Sequence, residues 1–192
     1  MPNERILFGK LQIAGRSSGW VYEQAPLLCK KNDPQPTKEY EDFSRQVVMA
    51  GLKMQQDAAA SKVIAAFKNI KFMVDILPAT GGGYFMPNCK HDTSLMYEIP
   101  RGADVGAIIV WDPVTPFTHT NTADSSSTTY PPWVILAHEI GHAIQLDEAS
   151  GSASAWLATY MAGQEAVEMD NIGRHETPIV ASLALKPRVR YL

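Results

Sequence analysis

The chain has 192 residues, 45% of them hydrophobic and 19% charged, with a formal net charge of -3. That composition suits a single folded domain, 1–192, with a core of its own, and the weak acidic balance argues against nucleic acid or an anionic membrane as the main partner. No apolar run is long enough to span a bilayer, and the start MPNERILFGKLQIAG lacks the pattern of a secretory signal. The two cysteines, Cys29 and Cys89, have a spacing that demands no pairing, which fits a reducing compartment.

The first thirty-odd residues read as short strand or irregular structure, and KKNDPQPT as a loop. From Thr37 to about Asn69 apolar residues recur at helical spacing, with Thr37 as N-cap and Gly51 as the point where the segment bends or splits. KFMVDILP (71–78) reads as a strand and GGGYFMPN as a turn or bulged strand. LMYEIP (95–100) and DVGAIIVWDP (104–113) are the strongest strand candidates. Residues 114–130, VTPFTHTNTADSSSTTY, form a long polar loop without periodicity, either a rim or lid or an inert surface. Pro131 and Pro132 open a helix reaching about Leu146. A second helix is expected from Ser152 to Met169 and a short one over 176–185. The fold class is α+β, with a twisted sheet packed on the helix that opens at Pro131 and further helices around it.

WVILAHEIGHAIQ, 133–145, carries the chemistry. Four residues apart on a helix, His138 and His142 share a face and can reach one ion. Glu139 lies about 100° around the axis, outside the ligand set but within reach of a water at the ion. That is the physical content of H-E-x-x-H, a Zn2+ pair with a glutamate base. Two imidazoles and a carboxylate on so apolar a helix would be costly without such a partner.

A zinc enzyme needs a third protein ligand and an open fourth position. The metzincin pattern fails, because Glu148 stands where its third histidine would be and Gln145 where its turn glycine would be. His91, His119 and His175 are isolated. The second helix offers Leu157, Met161, Glu165 and Glu168 on one stripe. Glu165 is the preferred third ligand, Glu168 the second choice and Glu176 the third.

Three blocks carry a family likeness: IIVWDP, PPWVILAHEIGHAIQ and ETPIVASLALKPRVRY (176–191). Together they resemble the gluzincin layout of zinc metallopeptidases, and more narrowly the NleD-like effector metallopeptidases of bacterial type III secretion. In the third block Glu176, Ile179, Leu183, Leu185, Arg188 and Tyr191 keep the family spacing, while Thr177, Val180 and Ala184 replace its Asn, Arg and Gly. The resemblance covers about the second half of the chain. It implies His138, His142 and Glu165 as zinc ligands, Glu139 as base, and Arg188 and Tyr191 near the site, where either can stabilise an oxyanion. It also implies a metalloendopeptidase acting on a protein substrate such as a host signalling protein. Such an effector or toxin would reach a target-cell cytoplasm by a signal-independent route. The alternative reading is a zinc-stabilised, non-catalytic protein-binding module.

Overall fold

Parallel strands need long crossovers, and both faces of a parallel sheet are usually covered, so their sequences run apolar without a break. In the computed structural model, which describes residues 6–7, 10–13, 38–87, 105–121, 125–149 and 153–189, the sheet centre has this character. Strand β3 (Met73–Pro78) is buried at four successive positions. Strand β5 (Val105–Trp111) is buried from Ala107 onward. They pair in parallel with each other, and β3 pairs in parallel with β2 (Leu11–Ile13). Strand β1 (Ile6–Leu7) and strand β4 (Gly83–Pro87) close the two edges antiparallel, giving the order β1-β2-β3-β5-β4. The fold class is α+β, as expected.

Helices α1 (Lys38–Gln56) and α2 (Ala58–Phe67) make the crossover from β2 to β3. The break between them falls at Asp57, not at Gly51, which sits buried inside α1. The Asp57 carboxylate caps α2 by accepting from Ala59 N (2.9 Å) and Ala60 N (2.8 Å). A capping side chain satisfies orphan amides at a helix start, and here it decides the division.

Helix α3 (Pro132–Glu148) carries the H-E-x-x-H motif through the middle of the molecule. Every residue from Trp133 to Leu146 is buried. It contacts α1, α2, β4 and β5, and a helix enclosed on all sides has no polar face. Its start is tied to the sheet by Trp111 Nε1, which donates to Pro132 O at 2.8 Å.

The segment 79–82 crosses the end of β5 to start β4 on the far side. Asp112 holds it there. Its Oδ2 accepts from Gly81 N at 2.5 Å, and its Oδ1 from Val114 N (2.7 Å) and Thr115 N (3.0 Å). Asp112 N also donates to Gly82 O at 2.8 Å. Gly81 (φ 85) and Gly82 (φ 76) take the left-handed backbone this crossing requires.

Two expectations are corrected. The polar loop 114–130 contains a β-hairpin, β6 (Phe117–Thr120) with β7 (Ser127–Tyr130). Its hydroxyl residues pair across the strands, Thr118 Oγ1 with Thr129 Oγ1 at 2.9 Å and Thr120 Oγ1 with Ser127 Oγ at 3.2 Å. The single helix expected over 152–169 is two, α4 (Ala153–Ala162) and α5 (Gln164–Asn171), broken at Gly163. Helix α5 runs on through a π turn (Ile172–Glu176) into α6 (Thr177–Ser182). The expected strand 95–100 and the Thr37 cap lie outside the described residues. Among the described residues no helix is long and apolar enough to cross a membrane.

Asp112 joins three loop amides to one side chain. Asp112→Ala is expected to lower stability by about 1–3 kcal/mol, read as a shift of the urea midpoint at unchanged slope; a shift below about 0.5 kcal/mol would deny it that role.

Candidate metal centre

Helical spacing places His138 and His142 on one face of α3, with ring centroids 4.8 Å apart. The residue that meets them is Glu168 of α5. Its Oε2 lies 3.2 Å from His138 Nε2 and 3.2 Å from His142 Nε2. The three residues are buried, and their ligand atoms lie within 4.8 Å of one another. This group can hold a metal ion: two imidazole nitrogens and a carboxylate oxygen converge, as three-ligand sites require.

Glu165, the preferred third ligand, is exposed on α5 and stands apart from the cluster. The stripe that suggested it was counted across Gly163, where the helix breaks and its register restarts. Met161, on the same supposed stripe, is 77% exposed. Glu168, the second choice, takes the inward position. Tyr191, Cys29, Cys89 and His91 lie outside the described residues.

Each member of the cluster has its own holder. His142 Nδ1 donates to Gln145 Oε1 at 2.9 Å, and Gln145 Nε2 is fixed by Val167 O (3.1 Å) and Asp170 Oδ2 (2.8 Å). Tyr160 OH donates to Glu168 Oε1 at 2.7 Å, leaving Oε2 for the histidines. Glu176 Oε2 lies 3.1 Å from His138 Nδ1 and 2.6 Å from Arg188 Nη2, and accepts from both. Arg188 Nε adds a second bond, to Glu176 Oε1 at 2.8 Å. Such partners fix the orientation and tautomer of metal-binding side chains.

The π turn explains how one continuous helix supplies both glutamates. Glu168 and Glu176 are eight residues apart, which in an α-helix leaves them roughly 80° apart around the axis. Thr177 N bonds back five residues to Ile172 O. This wider turn rotates less per residue and swings Glu176 back toward the face of Glu168. Close approach of this helix to α3 depends on Gly141. A Cβ there would lie 2.0 Å from Asn171 Oδ1 and 2.8 Å from His175 Cδ2. Asn171 Nδ2 donates to His138 O at 2.9 Å across the same contact.

Glu139 differs from the other carboxylates. It is 5% exposed, yet among the described residues its carboxylate has no hydrogen-bond partner. Burial raises its pKa. It lines a cavity of about 530 Å³ together with His138, His142 and Glu168. One wall is the start of β4, where a Cβ on Gly83 would stand 3.2 Å from Glu139 Oε1. Opposite chain segments supply Phe117–Asn121 of the hairpin, and Arg188 and Val189. Aromatic rings complete the lining: Trp156 stacks on Tyr160 at 5.0 Å and meets Phe85 edge-on at 5.3 Å.

Sequence reasoning set aside His119 and His175 as isolated. His119 lies in the cavity wall on β6, 4.9 Å from the Tyr130 ring, and burial lowers its pKa. His175 is buried behind Gly141, and burial lowers its pKa to about 4. Gln145 had a readable signal, an amide three residues after a motif histidine. Arg188 and Glu176 had none beyond the family likeness. Comparison with protein-family models, curated proteins and solved structures gives no match.

Two outcomes test the centre. Glu168→Ala is expected to abolish stoichiometric metal uptake, whereas Glu165→Ala keeps it; metal content after dialysis separates them, and the reverse pattern would return Glu165 to the site. The second concerns pH. Burial works against a charged His138, but hydrogen bonds to Glu168 and Glu176 outweigh it and raise its pKa to about 9. Glu168 and Glu176 are lowered: burial opposes this, and the bonds from the histidines and from Arg188 prevail. The raised group stabilises the metal-free fold below the ordinary value of 6.5, and this is lost as pH rises through about 9. The lowered carboxylates stabilise above 4.5, and this is lost at more acid pH. A metal ion held by His138 must displace its proton, so affinity for a divalent metal ion is expected to climb from pH 6.5 to 9 while metal-free stability falls. A flat affinity over that interval would contradict it.

Proposed function

We propose that this chain is a zinc-dependent metalloendopeptidase that hydrolyses a peptide bond in a protein substrate. The observation that carries this is Glu139, a buried carboxylate with no hydrogen bond among the described residues, facing the same cavity as the His138–His142–Glu168 cluster. The donor set suits zinc, which accepts imidazole and carboxylate together. Among the described residues three ligands converge and the cavity opens beside them. That supports a catalytic site rather than a closed four-ligand structural one.

When bound, zinc supplies Lewis-acid polarisation of the scissile carbonyl and lowers the pKa of water. The chain's residues do the rest. Glu139 takes a proton from the attacking water and passes it to the leaving amine, a role suited to a carboxylate whose pKa burial raises. Strand β4 is an outer strand of the sheet among the described residues, and it lines the cavity. An extended peptide held in the cavity would lie beside it. Gly83 leaves room for the peptide and for Glu139 together. The effector or toxin setting, with a target-cell protein as substrate, rests on the family likeness alone.

The test is cleavage of a peptide library by zinc-loaded protein beside Glu139→Gln. The variant is expected to retain one zinc per chain and to lose about 10²–10⁴-fold in rate. Undiminished cleavage would overturn the mechanism. Zinc uptake with no cleavage of any peptide by the wild type would favour a zinc-stabilised binding module.

A further inference from the structure

The chain turns back sharply after α6. Leu185 N bonds to Val180 O at 2.8 Å, and Ala184 takes the left-handed conformation (φ 55) that favours glycine. The segment Leu185–Val189 then runs against the hairpin. Tyr130, buried on β7, grips it twice: its hydroxyl donates to Lys186 O at 2.8 Å and accepts from Arg188 N at 2.9 Å. The Arg188 guanidinium lies over the Phe117 ring, 5.3 Å from its centroid. Only 7% of Arg188 is exposed, and its fork closes on Glu176, which is fully buried and reaches His138 Nδ1. An unbroken line of contacts therefore joins the hairpin, the segment 185–189, the π turn and the metal cluster.

We propose that Glu176 and Arg188 are positioning residues for the metal centre, and that seating of the segment Leu185–Val189 is thermodynamically coupled to metal binding. The inference rests on the metal site proposed above. Glu176 holds the His138 ring with Nε2 toward Glu168, and its negative charge makes that nitrogen a better donor to a cation. Arg188 makes a buried carboxylate affordable at that place, since an unpaired one is costly. Arg188 thus acts on the metal through the His138 ring, by holding Glu176 and by its own Nη2, which lies 3.2 Å from His138 Nδ1, and can do so only while the segment is seated. Coupling is reciprocal: whatever seating adds to metal affinity, metal adds to the order of the segment.

The experiment measures Zn2+ affinity by competition with a chromophoric chelator, and hydrogen exchange over 183–189 with and without Zn2+. It uses the full chain as wild type, Glu176→Gln, Arg188→Lys and the double variant. Lysine keeps the charge and loses the two-pronged grip. Glu176→Gln is expected to weaken zinc about 10–100-fold. Arg188→Lys should weaken it by a smaller factor, and the double variant no more than Glu176→Gln alone, because both act along one line. Zinc should slow exchange over 183–189 in the wild type and not in Glu176→Gln. Affinity unchanged in folded Glu176→Gln, additive losses in the double variant, or exchange indifferent to zinc would each overturn the proposal. If Glu176→Gln does not fold, Tyr130→Phe decides, since it removes only the hydroxyl that grips the segment: weaker zinc and faster exchange support the coupling, and wild-type values for both overturn it. A wild type that binds no zinc would overturn this inference and the proposed function together. A wild type that binds zinc and cleaves peptide, with Glu176→Gln unaltered in affinity, would overturn this inference alone.

Discussion

Charge taken out of water must be compensated where it lies, and this molecule buries a dense group of it. His138, His142, Glu139, Glu168, Glu176 and Arg188 are all at most 7% exposed. Each such group costs several kcal/mol unless paired. The surrounding architecture supplies the partners. Gly141 admits the α5 helix to contact distance, the π turn swings Glu176 to His138, and Tyr130 seats the segment bearing Arg188. Of these six, Glu139 alone has no hydrogen bond among the described residues, and it faces the cavity.

Helical contacts at four-residue spacing are local, so the common face of His138 and His142, with Glu139 beside it, could be read from the chain. The central strands were legible too: 105–111 is an unbroken apolar run, and 73–78 alternates in part and is apolar but for the buried Asp75. The third ligand was not, because the stripe holding Glu165 and Glu168 was counted through Gly163, and a broken helix does not conserve its phase. The hairpin 117–130 was missed because its strands are only four residues long and mostly polar, with Phe117 and Tyr130 too few to mark a hydrophobic period. Periodicity also failed to orient α3, which is buried on every side. Tertiary contacts such as Arg188 to Glu176 leave no trace in local sequence.

The cavity is built from parts that differ in rigidity of support. Its β4 wall is anchored to the sheet and to Asp112, and its floor is the most enclosed helix in the molecule. The opposite wall is a two-stranded hairpin held to the rest by Tyr130 and by the segment it grips. Two-stranded ribbons are weak on their own. The side of the cleft that holds the cluster is therefore fixed by the core, while the hairpin side is held, among the described residues, by Tyr130 and Phe117 against the core and by their contacts with the segment 185–189.

The π turn takes up one extra residue without losing helical phase. Were 172–176 to wind as an ordinary α-helix with every residue kept, Glu176 would stand roughly 80° from the face of Glu168 and leave His138. One residue fewer would cancel that error, because seven α-helical steps leave two side chains only about 20° apart. Residue count and turn width therefore form a matched pair at this place: an ordinary turn with the full count would give α6 a different face against α2, and an ordinary turn with one residue removed would restore it.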